Sequence, residues 1–92
     1  MEVYRQEIDR IDRAITELFL RRMAVAEQIA RYKQANGLPI YDAAREAQKL
    51  RYIRQSVPPE LRAETEELYQ LLFALSRRYQ ERITEEHHGT ER

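Results

Sequence analysis

The sequence predicts an all-α fold of three helices, in the order long, short and long, and two observations lead to this prediction. Residues that break helices are confined to Gly37, Pro39, Pro58, Pro59 and Gly89. Between these positions apolar residues recur at steps of three and four, which is the period of an α-helix, and no segment alternates as a strand does. The 92 residues therefore divide into three helical segments and a polar tail.

The first helix is predicted from about residue 3 to residue 35. Its apolar stripe consists of Tyr4, Ile8, Ile11, Ile15, Leu18, Val25, Ile29 and Tyr32. At about 1.5 Å per residue this helix is roughly 50 Å long, which exceeds the usual length of helices in globular proteins. A chain of 92 residues offers too little surface to cover such a stripe, so we expect self-association.

Two loop sequences bound the other helices. In "ANGLPIYD", Gly37 suits the C-terminal cap of the first helix, Pro39 prevents its continuation, and Asp42 suits the N-cap of the next. The second helix is predicted at 42–56. "SVPPE" then breaks the chain, and the third helix is predicted at 60–84. The apolar residues of these two helices are Leu50, Ile53, Val57, Leu61, Leu68, Leu71, Leu72, Leu75, Tyr79 and Ile83.

One helical domain is thus expected at residues 1–84, and the tail at 85–92, which lacks apolar side chains, is expected to be disordered. The 16 basic and 16 acidic residues cancel, which argues against nucleic acid or an anionic membrane surface as a partner. No apolar run approaches the roughly 20 residues that span a bilayer, and the N-terminus lacks the apolar region of a signal peptide. A soluble, cytoplasmic protein is expected.

Several kinds of catalytic site are disfavoured by the residue types present. The chain has no cysteine, which excludes a thiolate site. His87 and His88 are adjacent in the tail, so they do not share one helical face as metal ligands do, and no metal site is expected. The serines have no histidine nearby to act as a base. The charges of "RRYQER" at 77–82 are interpreted as a solvated outer face.

Polar residues nevertheless fall on the apolar faces of all three helices. At 100° per residue, Arg22 lies in the middle of the first stripe and Lys33 lies at its edge. Glu46 shares a side of the second helix with Leu50 and Ile53. Ser76 and Gln80 lie one turn apart on the apolar side of the third helix, and Asp42 and Arg45 flank Glu46.

Two interpretations of these residues are open. In the first, Arg22 and Glu46 form a buried ion pair that fixes the helix register, and Lys33 extends into solvent. In the second, the residues bind an anionic ligand, a carboxylate or a phosphate. The second interpretation is favoured by an excess of cations over Asp42 and Glu46. These cations are Arg5, Arg22, Lys33 and Arg45.

Four motifs resemble the all-helical chorismate mutases of the shikimate pathway, in their single-domain, monofunctional form. They are "RQEIDRIDRAITELFLRRM", "IARYK", "PIYDAAREAQKL" and "SRRYQ", and the resemblance covers about residues 4–83. The most specific element is D-x-x-R-E at Asp42, Arg45 and Glu46. The resemblance implies an isomerase that needs no cofactor and converts chorismate to prephenate for phenylalanine and tyrosine biosynthesis.

The resemblance also implies roles for individual residues. Arg22 binds one carboxylate of the substrate within its own subunit, and Arg5 reaches the site of the partner subunit and binds the other. Lys33 contacts the ether oxygen and a carboxylate, and Gln80 contacts the ether oxygen from the opposite side. Arg22, Lys33 and Gln80 are therefore the expected catalytic residues. The remaining residues support the ring hydroxyl and the pocket, and they are Asp42, Arg45, Glu46 and Ser76.

The architecture that the resemblance implies is an intertwined homodimer in which the long first helices of two subunits pair. Two alternative functions stay open. One is an isochorismate pyruvate lyase-like enzyme, which shares the fold, and the other is a non-catalytic helical module for dimerisation or regulation. A synthase of the aromatic pathway is a candidate partner.

Overall fold

The computed structural model describes the backbone of residues 1–90 and the side chains up to residue 85. Within this range the chain forms three α-helices, long, short and long, and the predicted all-α fold is confirmed. The helices are α1 (Glu2–Ala35), α2 (Ala43–Ser56) and α3 (Arg62–Thr90), and one 3-10 turn (Pro59–Leu61) precedes α3.

The loop between α1 and α2 is closed by the two predicted caps. The N–H of Leu38 donates to the carbonyl of Lys33 at 2.8 Å, and Gly37 adopts a φ of 64°. This is the Schellman arrangement, in which the residue after the helix takes a left-handed conformation. At the start of α2, a side-chain oxygen of Asp42 accepts the backbone N–H of Arg45 at 3.0 Å. Both predicted caps are confirmed.

Replacing Gly37 by alanine is expected to lower the thermal midpoint by roughly 4 to 8 °C. A left-handed conformation costs a residue with a Cβ about 1 kcal/mol or more. A Cβ at this position would meet no atom within 4 Å, so the loss is conformational rather than steric. Gly37→Asn is the control, because asparagine tolerates this conformation better, and it should lose less. Circular dichroism melts that fail to separate wild type, Gly37→Asn and Gly37→Ala would contradict the prediction.

The buried core lies where the C-terminal half of α1 meets α2 and α3. The buried apolar residues are Ala26, Ala30, Ile53, Phe73 and Ile83. The radius of gyration is 16.6 Å, against about 12 Å for a compact chain of this length. The molecule measures 55 × 29 × 14 Å, so its thinnest dimension is close to one helix diameter. The chain is therefore a thin layer of helices.

Most of the apolar stripe of α1 is exposed in the single chain. Exposure ranges from 41% for Ile29 to 69% for Tyr4, and Ile11 near the predicted centre of the stripe is 47% exposed. The stripe is uncovered because α3 is the main packing partner of α1, α2 packs on α3, and the buried residues of α1 are Ala26 and Ala30, which are not part of the stripe. No helix in the described part of the chain is both long and apolar enough to cross a membrane.

The limits of α3 differ from the prediction. It begins at Arg62, after the 3-10 turn, and it continues to Thr90 instead of ending near residue 84. Residues 84–88 contain no proline or glycine to end the helix. The expected disorder of 85–92 falls largely on residues whose side chains or backbone lie outside the described part, as do the side chains of His87 and His88, so it stays a prediction.

Candidate active site

A cavity of about 560 Å³ lies between the three helices, in the size range of small-molecule sites. It is lined by the second half of α1, the end of the following loop, the first turns of α2 and the middle of α3. Most of the predicted site residues line this cavity, namely Arg22, Lys33, Asp42, Arg45, Glu46, Ser76 and Gln80. Residues from four separate sequence motifs thus converge on one space.

Arg5 is the predicted site residue that does not line the cavity. It is exposed near the start of α1. Because α1 is one continuous helix, Arg5 lies roughly 25 Å from Arg22 along the helix axis, beyond the reach of an arginine side chain. Within a single chain, Arg5 cannot take part in this site.

Arg22 has no carboxylate partner among the described side chains. Its guanidinium carbon lies 6.0 Å from the ring centroid of Phe73, and the side chain is partly buried. Glu46 instead pairs with Arg77 of α3. The interpretation in which Arg22 and Glu46 form a buried ion pair is therefore wrong, because the packing of α2 on α3 directs Glu46 toward Arg77.

Lys33 is held by the loop. The ion-pair interpretation required it to extend into solvent, and it does not. Its Nζ donates a hydrogen bond of 2.7 Å to the carbonyl of Ile40, and the side chain is partly buried. Since an ammonium group has more than one N–H, donors remain for a ligand in the cavity. The Gly37 cap fixes the loop that carries Ile40, so a local backbone feature positions this cation.

Asp42 and Arg45 are both exposed at the start of α2. The carboxylate of Asp42 is engaged by the backbone N–H of Arg45, and Nη1 of Arg45 donates to Oε1 of Gln48 at 3.2 Å. The N-terminus of α2, with its positive end of the helix dipole, faces the same cavity. Asp42 therefore serves as the N-cap of α2.

Ser76 and Gln80 form a pair one turn apart on α3. Nε2 of Gln80 donates to Oγ of Ser76 at 3.0 Å. Gln80 is only 6% exposed, and its Oε1 has no hydrogen-bond partner among the described residues. A buried amide oxygen without a partner costs about 1 to 3 kcal/mol. The Ser76 hydroxyl can either accept or donate, so a half-turn of the amide satisfies Oε1 and leaves Nε2 as the free donor.

Arg77 was missed by the sequence reasoning, which assigned it to the solvated outer face. Its Nη1 donates to Oε2 of Glu46, and its guanidinium carbon lies 5.0 Å from the ring centroid of Tyr41. The signal was available, because Phe73, Arg77 and Gln80 follow the i, i+4, i+7 spacing of one helical face. The prediction for this residue is wrong.

The cavity carries more positive than negative side chains. Asp42 and Glu46 are its acids, and both are engaged within the protein. The cations that line it are Arg21, Arg22, Lys33, Arg45 and Lys49. Arg21 and Lys49 were not predicted, although Lys49 lies one turn after Arg45 on the same helix. An anion of more than one charge suits this surface.

Comparisons with known proteins identify the family to which the chain is similar. The family model described as chorismate mutase type II matches residues 4–81. The T-protein of Haemophilus influenzae is 43% identical over 42 residues, which are 46% of this chain and 11% of that protein. The T-protein of Enterobacter agglomerans is 36% identical over 62 residues, which are 62% of this chain and 17% of that protein. This chain therefore spans less than a fifth of either relative, and no solved structure is significantly similar to it.

Proposed function

The chain belongs to the chorismate mutase type II family, and from that premise we propose that it converts chorismate to prephenate in aromatic amino acid biosynthesis. The family is the one that the four sequence motifs predicted. Membership alone does not establish the activity of the whole protein, since the curated relatives are matched over a small part of their length. The residues of the site support this activity more directly.

The observation that supports the proposal is that cations in the cavity lack a carboxylate partner among the described side chains. Arg22 and Lys33 line the cavity without a carboxylate partner among the described side chains, while the acids beside them are already engaged. Partly buried cations in this state are stabilised by an anionic ligand. Chorismate carries two carboxylates and an ether oxygen, and it is small enough for a cavity of about 560 Å³.

The rearrangement suits a site made of positioned donors. The C–O bond of the ether breaks as a C–C bond forms within the same molecule, so the reaction requires neither a nucleophile nor a proton transfer. Negative charge develops on the ether oxygen. The protein accelerates the step by holding the compact conformer of the substrate and by placing donors at that oxygen. In the proposal, Arg22 holds a carboxylate, and Lys33 and Gln80 donate to the ether oxygen.

The role proposed for Gln80 depends on the two N–H groups of its amide. One of them donates to Oγ of Ser76, so the other remains for the ether oxygen, which accepts hydrogen bonds only. A half-turn of the amide, in which Ser76 donates to the buried Oε1, would leave both N–H groups for the substrate. The remaining lining residues support the ring hydroxyl and the carboxylates, and they are Asp42, Arg45, Glu46 and Ser76.

The proposal includes a homodimer in which the exposed stripes of two α1 helices pair. Such a pairing buries apolar side chains from Tyr4 to Tyr32 that the single chain leaves 41 to 69% exposed. If a two-fold axis passes near the midpoint of α1, the two helices run antiparallel and Arg5 of one copy lies opposite residue 32 of the other. Arg5 then reaches the cavity beside Lys33 of the partner subunit. Sedimentation analysis should therefore give a dimer.

The experiment that tests the proposal follows the loss of chorismate by ultraviolet absorbance and identifies the product. Prephenate supports it. Salicylate and pyruvate from isochorismate, without turnover of chorismate, would instead support the lyase. If neither substrate reacts and a dicarboxylate transition-state analogue leaves the thermal midpoint unchanged, the chain is a non-catalytic module, because a ligand of the native state must raise stability. A cytoplasmic location and a synthase partner stay predictions of the sequence.

A further inference from the structure

Arg77 does not line the cavity, but it is paired with Glu46, an acidic residue that does. Glu46 lines the cavity, Arg77 does not, and Nη1 of Arg77 donates to Oε2 of Glu46. The two side chains are 31% and 22% exposed, so solvent screens this pair only in part. Tyr41 lies 5.0 Å from the guanidinium carbon, which gives Arg77 a second contact in the loop before α2.

The pairing with Arg77 affects both the orientation and the charge of the Glu46 carboxylate. One carboxylate oxygen is fixed by Arg77, which leaves the other oxygen to accept a hydrogen bond from the cavity side. The guanidinium also balances a negative charge in a cavity that is otherwise suited to anions. Without Arg77, the carboxylate would be free to rotate and would repel a substrate with two negative charges.

We propose that Arg77 is a positioning residue with two effects on Glu46. It holds Glu46 in the orientation that receives the ring hydroxyl of the substrate, and it neutralises the negative charge of Glu46. This inference rests on the proposed function. The ring hydroxyl is on the carbon next to the one that bears the ether oxygen, but it forms and breaks no bond in the rearrangement, so its contact with Glu46 is made in the substrate as well as in the transition state. Loss of such a contact raises KM and leaves kcat nearly unchanged.

A second ion pair between the same two helices provides the matched control. Arg54 of α2 pairs with Glu66 of α3, and neither residue lines the cavity. Arg54→Met therefore removes a link between α2 and α3 without touching the site. If Arg77 served only to hold the helices together, Arg77→Met and Arg54→Met would have similar effects on activity.

The test compares steady-state kinetics of purified variants with chorismate. Arg77→Met is expected to raise KM about tenfold, as for loss of a charge-assisted hydrogen bond, with kcat within about twofold of wild type. Arg54→Met should leave both constants within about twofold. Arg77→Lys, which keeps the charge, should recover part of the loss. In a Glu46→Gln background, Arg77→Met should have little further effect, because the two residues act as one unit.

The outcomes separate this inference from the proposed function. An active wild type in which Arg77→Met leaves KM unchanged, or matches Arg54→Met, overturns the inference and leaves the proposed function standing. Equal effects of Arg77→Met in the wild-type and Glu46→Gln backgrounds also overturn it, because Arg77 would then act independently of Glu46. A wild type that does not turn over chorismate overturns both. Melting curves of all variants identify any loss that is due to unfolding.

Discussion

Replacing Lys33 by alanine is expected to lower kcat for the rearrangement of chorismate by about a hundredfold or more. The structure holds the ammonium at the cavity through a hydrogen bond of 2.7 Å to the carbonyl of Ile40. A preformed donor to a developing negative charge contributes on the order of 3 to 4 kcal/mol to the stability of the transition state. Because that charge grows as the C–O bond breaks, the loss falls on kcat rather than on KM.

The fold should survive this change. Lys33 contributes one hydrogen bond to the loop, and the Gly37 cap and the Asp42 cap hold the same loop independently. Arg31→Ala is the control, since Arg31 lies on the same helix, is 56% exposed and pairs with Glu27 on the surface. Circular dichroism and sedimentation should not distinguish the two variants. A Lys33→Ala enzyme whose kcat stays within tenfold of wild type would remove Lys33 from the proposed mechanism.

The features that the sequence predicted correctly are those that depend on neighbouring residues. The loop between α1 and α2 follows from the left-handed conformation of Gly37 and the N-cap of Asp42, and both act over a few residues. Helix type and order follow from the same local signals. The extension of α3 past residue 84 could not be inferred from periodicity, because a polar helix end has no apolar pattern to mark it.

The pairing of charged side chains depends on how the helices pack, and the sequence predicted it less well than the helices themselves. Two cations at helical positions facing the interior, Arg22 and Arg77, could have paired with Glu46. Only the arrangement of α2 on α3 selects Arg77. That choice is made between residues 31 positions apart, where sequence spacing carries no information. The consequence for function is large, because Arg22 then has no carboxylate partner among the described residues and is available to a ligand.

The exposed stripe of α1 concerns the proposed dimer, in which two chains would share each site. Seven predicted residues line the cavity, whereas Arg5 lies at the opposite end of a rigid helix. The stripe that links these two regions is apolar and uncovered in the single chain. The proposed dimer would account for both facts, since the surface that it covers would also carry Arg5 toward the cavity of the partner.

Mixing Arg5→Ala with Lys33→Ala subunits is expected to restore about a quarter of wild-type activity. Each variant alone should lose at least about thirtyfold in kcat/KM, since each removes a charged contact with the substrate. In a mixed dimer one site receives both substitutions and the other receives neither, provided that Arg5 acts across the subunits. Random assortment makes about half of the dimers mixed, and each mixed dimer has one intact site.

The measurement requires the two variants to be unfolded together and refolded, so that subunits exchange, and then assayed at the total concentration used for each parent. Lys33→Ala mixed with Gln80→Ala is the matched control. Both of these residues line the cavity of their own chain, so every site in that mixture lacks one of them and no activity should return. If Arg5→Ala with Lys33→Ala gives no more activity than this control, Arg5 does not serve the partner's site. The exposed stripe of α1 would then need another explanation.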